Sequence, residues 1–115
     1  MINETDTIFA LSSNPGRAAL SVVRVTGKNA FCTIEKLTRK KITGAKHRRS
    51  FLCSIYNINK SLLDKCVITF FCKPNSYTGE DLVEITTHGN PIIVDGLFNT
   101  LKGHGLRLAN PGEFT

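Results

Sequence analysis

A chain of 115 residues, 41% hydrophobic and 21% charged, suits one domain that buries about two thirds of its unfolded surface without cross-links. Its formal net charge of +6 is uneven: no acid lies between Glu35 and Asp64, where Lys36, Arg39, Lys40, Lys41, Lys46, Arg48, Arg49 and Lys60 contribute +8, leaving −2 elsewhere. The start, MINETDTIF, has acids where a secretory signal is basic, and the longest apolar run, 66–72, is far too short for a bilayer, so a cytoplasmic, non-membrane protein is expected.

Two alternating runs, 6–13 and 19–26, flank Ser13-Asn14-Pro15-Gly16-Arg17 and predict a β-hairpin turning at Pro15-Gly16. After Gly27, Ala30, Ile34 and Leu37 recur at helical spacing, with Asn29 as a candidate cap. Residues 50–58 and 64–72 read as strands joined through Asn59-Lys60-Ser61, and 81–88 supplies another. A second helix is the clearest element: Asn90 can cap it, Pro91 suits its first position, and Val94, Leu97, Phe98 and Leu101 fall at i, i+3, i+4 and i+7. Gly103 and Gly105 stop it, and 106–109 forms a last short strand. The order β-β-α-β-β-β-α-β predicts an α+β fold with one layer of helices on a mixed sheet.

Alternation in 81–88 sends Asp81, Val83, Ile85 and Thr87 to one face and Leu82, Glu84, Thr86 and His88 to the other. Glu84 then stands at a core-type position among Leu82, Val83 and Ile85, where a carboxylate needs a hydrogen-bond donor from a partner side chain or a ligand. The cysteines, Cys32, Cys53, Cys66 and Cys72, lie 21, 13 and 6 positions apart without zinc-ligand spacing, and each sits in an apolar stretch, so four buried, reduced thiols are expected. The histidines are scattered at 47, 88 and 104, so no metal site is expected, and His88 is assigned to backbone groups at the strand-to-helix turn. No GxxxxGK[ST] loop, catalytic triad or convincing carboxylate pair occurs, so the chain alone is not expected to catalyse a reaction.

Three stretches, DTIFALSSNPGRAALSVVRVTG, PNSYTGEDLVEITTHGNP and GLRLANPGEFT, occur in that order, and together they resemble the amino-terminal domain of the MnmE or TrmE family of tRNA modification GTPases. The likeness spans nearly the whole chain, and residues 36–65 carry almost none of it. It implies a folate-binding domain, here 1–115, followed in the parent by helical and GTPase regions. It also implies binding of 5-formyltetrahydrofolate, with Arg24 in SVVRVTG and Glu84 in GEDLVEI as contacts and a third, basic contact a little beyond PGEF. A carboxylate can accept the exocyclic amine and neighbouring ring N–H of a pterin together, and a guanidinium can meet a pterin carbonyl or folate carboxylate. An internal Arg24–Glu84 salt bridge is the alternative, and the two are compatible.

Tyr77 either stacks on the pterin or closes over the core, with Thr78 beside it in the loop, and Arg17 meets the folate, a facing subunit or only solvent. The family further implies a homodimer, with apolar residues of 19–25 at a hairpin edge, and a flavin-containing partner protein of the MnmG or GidA type. The parent would bind GTP, Mg2+ and K+ outside this chain and modify position 5 of the wobble uridine of certain tRNAs. Two rival readings are a basic RNA-contact domain acting through 39–49 and a fragment of an aminomethyltransferase-like folate enzyme.

Overall fold

A computed structural model describes residues 6–12, 19–41, 48–76 and 78–114. The elements are β1 (Thr7–Leu11), β2 (Leu20–Gly27), α1 (Ala30–Thr38), β3 (Ser50–Tyr56), β4 (Leu62–Phe71), β5 (Leu82–His88), α2 (Pro91–Gly103) and β6 (Arg107–Leu108). Order and α+β class match the sequence reading. The predicted Pro15-Gly16 turn, with Arg17, lies outside the described residues, as do His47 and Tyr77.

The strands make one mixed sheet in the order β3-β4-β5-β2-β1-β6, antiparallel throughout except where β6 runs parallel to β1. The expectation that 19–25 offers a hairpin edge is therefore corrected. β2 is an interior strand hydrogen-bonded on both sides, and the edges are β3 and β6.

Both helices cover the same face. Alternation directs Phe9, Val23, Val25, Cys53, Ile55, Cys66, Ile68, Phe70, Val83 and Ile85 there, where they form one core with Ala30, Ile34 and Leu37 of α1 and Leu97 and Leu101 of α2. Each large side chain so buried contributes about 1.5–3 kcal/mol before conformational entropy is subtracted. Phe98 extends this core edge-on to Phe9, with ring centroids 5.0 Å apart.

α2 starts as its sequence requires: Asn90 Oδ1 accepts the Ile92 amide at 2.9 Å, and Pro91 occupies the first turn, where its missing N–H has no cost. Asn29 does not cap α1. Its φ of −102° and ψ of 13° are not extended, so its side chain cannot reach back to the helix amides, and its own N–H donates to Thr7 Oγ1 at 2.9 Å. That close pass explains Gly27. At φ +132°, a Cβ there would lie 2.6 Å from the carbonyl oxygen of Asp6.

The expectation of four buried thiols holds for Cys53 and Cys66 and is corrected for the other two. Cys32 falls off the Ala30, Ile34, Leu37 stripe and is exposed, and Cys72 is half-buried where β4 ends. All four are free. Among the described residues no helix is long and apolar enough to cross a membrane.

The face without helices carries two contrasting rows. Arg24, Glu84, Thr69 and Ser50 stand abreast across β2, β5, β4 and β3, and the neighbouring row is Val22, Thr86, Val67 and Leu52.

Candidate ligand-binding site

Arg24 and Glu84 face each other in the β2–β5 register, and Arg24 Nε donates to Glu84 Oε2 at 2.8 Å. Val83 and Ile85 take the helix side of β5, so Glu84 emerges on the open face and not in the core, correcting the core-type position read from its neighbours. The side chains keep 35% and 24% of their surface. A pair this accessible is screened by water and contributes at most about 1 kcal/mol to folding.

Beside this pair opens a cavity of about 460 Å³, bounded by Ala10, Leu11 and Ser12 at the end of β1, by Arg24, and by residues 109–114. That volume lies within the range of about 300–1,000 Å³ usual for small-molecule sites. The wall formed by 109–114 is held by a network the sequence reading missed. Arg107 donates through Nη1 to Glu113 Oε1 at 2.8 Å and through Nη2 to Glu113 Oε2 and to Asp6 Oδ2, the last at 2.9 Å. Glu113 Oε1 also accepts the Asn110 amide, closing the Asn110-Pro111-Gly112 turn. The Arg107 guanidinium first, and then the Asn110 N–H, hold the Glu113 carboxyl down at about 2. The charge pattern Arg107…Glu113 around this turn was the available signal, but only the fold shows that Asp6 completes it.

The loop joining β4 to β5 is tied down at the other end of the open face. Thr26 donates its hydroxyl proton to the Asp81 carbonyl at 2.9 Å, so the 2.7 Å contact between Thr26 and Thr78 hydroxyls has Thr78 as donor. Thr78 thus anchors the loop on β2, and Lys73 N–H donates to Asp81 Oδ1 at 3.0 Å.

His88 does something other than expected. Its amide and ring Nδ1 both meet the Asp64 carboxylate at 3.0 Å, so its ring serves a cross-strand hydrogen bond and not the backbone of the following turn. Burial alone would raise the Asp64 pKa, but the His88 amide and ring and the Lys65 amide together hold it below its ordinary value. Among the described residues no group of three or more His, Cys, Asp or Glu is placed to hold a metal ion.

The sequence profile described as "GTP-binding protein TrmE N-terminus" matches residues 7–115. The chain belongs to the TrmE amino-terminal family. Proteins named "tRNA modification GTPase MnmE" are 44% identical to it in Francisella philomiragia, 41% in Francisella tularensis and 39% in Legionella pneumophila, each over 96% of the chain. Those alignments cover 24% of the relatives, so the chain spans about a quarter of their length. Family membership extends across the motifs that carry Arg24, Glu84 and the 109–114 wall.

Proposed function

We propose that the chain is the amino-terminal folate-binding and dimerising module of a cytoplasmic GTPase that modifies the wobble uridine of certain tRNAs. GTP, Mg2+ and K+ would be held by other parts of the parent, which would work with a flavin-containing partner protein. The observation that supports folate binding is the 460 Å³ cavity with Arg24 in its wall and Glu84 2.8 Å from Arg24. In this reading Glu84 accepts the paired N–H groups of the pterin, and Arg24 exchanges part of its contact with Glu84 for a folate oxygen. The Arg107–Glu113–Asp6 network keeps the wall in place, and the bound folate supplies or positions a one-carbon unit. The helix-free face supports pairing with a second copy, since Leu20, Val67 and Leu52 are exposed on it.

Calorimetric titration of the protein with 5-formyltetrahydrofolate tests the ligand. Glu84→Gln removes one charged hydrogen-bond partner, which weakens binding by roughly ten- to a hundred-fold. Equal affinity of the unsubstituted protein and Glu84→Gln overturns the assignment and leaves the pair as a cross-strand salt bridge.

A further inference from the structure

A second cavity, of about 120 Å³, shares no residue with the one beside Arg24. It is lined by Lys36, Arg39, Tyr56, Asn57, Ile58, Lys60 and His104, which converge from the end of α1, the β3–β4 turn and the end of α2. No acid is among these residues, and Lys36, Arg39 and Lys60 enter no ion pair among the described residues. The positive field is felt inside: burial, and then the charge of Lys36, hold the His104 pKa below its ordinary value.

The cavity is built, not merely a gathering of flexible cations. The Asn57 carboxamide oxygen accepts the amides of Asn59 and Ser61 at 2.9 Å each, and the Asn57 N–H donates to Ser61 O at 2.8 Å, locking the turn that carries Lys60. Ile58 then reaches α2 at Gly103, where a Cβ would lie 2.6 Å from Ile58 Cδ1. On the other side the Arg39 guanidinium lies over the Tyr56 ring, 5.5 Å from its centroid.

Backbone conformation separates a binding role from a structural one. Arg39 and Lys60 adopt left-handed φ values of 58° and 67°, a region where glycine or asparagine is favoured and a long side chain is strained. Cations at the end of α1 also complement its negative pole, which accounts for Lys36 and in part for Arg39. Lys60 belongs to a hairpin turn, so that explanation does not reach it. Two of the four basic residues thus occupy positions where glycine relaxes the backbone.

We infer that this cavity is a phosphate-binding site, formed by Lys36, Arg39, Lys60 and His104, and that the phosphate it takes is a phosphodiester of an RNA backbone. Lysine and arginine offer charged donors to phosphate oxygens without reading bases, so recognition there is independent of sequence. The lysines and arginines at 40, 41, 48 and 49 extend the basic character along the neighbouring chain. The inference does not depend on the folate reading, since the cavities are separate.

The test follows the His104 ring proton by NMR in the full chain while inorganic phosphate, a mononucleotide or a short single-stranded RNA is added. A bound phosphate favours protonated imidazole, so the apparent pKa of His104 rises with each ligand, and RNA binds at least about ten-fold tighter than inorganic phosphate because several phosphates engage at once. Lys60→Gly and Lys36→Ala each weaken RNA binding several-fold and reduce the slope of log affinity against log salt by about 0.7. Lys60→Gly leaves the thermal midpoint equal or higher, whereas a purely structural lysine predicts a lower one. A His104 signal unmoved by all three ligands, or RNA affinity unchanged in both variants, overturns the site. RNA binding no tighter than inorganic phosphate overturns RNA as the source while keeping the phosphate chemistry.

Discussion

Arg24 and Glu84, 60 residues apart in the chain, stand directly opposite in adjacent antiparallel strands, with Nε and Oε2 2.8 Å apart on the half-exposed face of the sheet. Such a pair adds little to stability because water still reaches both charges. Urea denaturation of Arg24→Gln, Glu84→Gln and the double variant is therefore expected to give a coupling energy of about 1 kcal/mol or less. A coupling well above that value would mean the pair is kept for folding and not for ligand.

The Glu113 carboxyl, held at about 2 by Arg107 and the Asn110 amide, lies below its ordinary value of 4.5. A lowered folded-state pKa stabilises the fold above the unfolded value, and this contribution disappears as pH falls through the folded one. Stability is thus expected to decline between pH 4.5 and about 2, and Glu113→Gln, already without the charge, should show a smaller decline in that window. Thermal melts of both proteins across the window check this.

Gly27→Ala is expected to be among the most damaging single-methyl changes. The added carbon meets the Asp6 carbonyl oxygen at 2.6 Å and Thr7 Cα at 2.8 Å, both backbone atoms that cannot rotate away, at a φ of +132°. A loss of about 2–4 kcal/mol is expected from the strained conformation and the overlap together. Gly96→Ala is the control, because its added carbon meets only the Leu63 Cδ2 atom, which a rotamer change can move. Chemical denaturation of the two variants should separate them clearly.

Thiol chemistry should divide the four cysteines. Cys53 and Cys66 face each other between β3 and β4, both buried, and the hydrogen bond that the Cys66 S–H donates to Cys53, together with burial, pushes the Cys66 thiol up. Cys32 is exposed and Cys72 half-buried. A disulfide reagent at neutral pH is expected to modify Cys32 first and Cys72 next, reaching Cys53 and Cys66 only on unfolding. Peptide mapping over a time course reads this order.

Leu52 is 62% exposed on the helix-free face, so Leu52→Glu should change monomer stability by no more than about 0.5 kcal/mol. If a second copy covers that face, the same variant places a charge in the contact and shifts sedimentation toward the monomer. An unchanged dimer would move the contact to another surface.

Local patterns were enough to set out the eight elements in order, the Asn90-Pro91 start of α2 and the two faces of β5, because side-chain alternation and helical period are fixed by backbone geometry within a few residues. The same patterns marked Arg24 and Glu84 as residues of interest through their motifs. They did not reveal that β2 is interior, that Glu84 leaves the core side, or that Asp6 joins Arg107 and Glu113 across 101 residues. Those facts depend on strand order and register, which are decided only when whole apolar faces are buried together. Phe9, Val25, Val83 and Phe70 lie abreast beneath the helices, and this packing carries the opposite, polar row into line. The geometry around Arg24 and Glu84 is the far side of that core, so only the tertiary structure could assemble it.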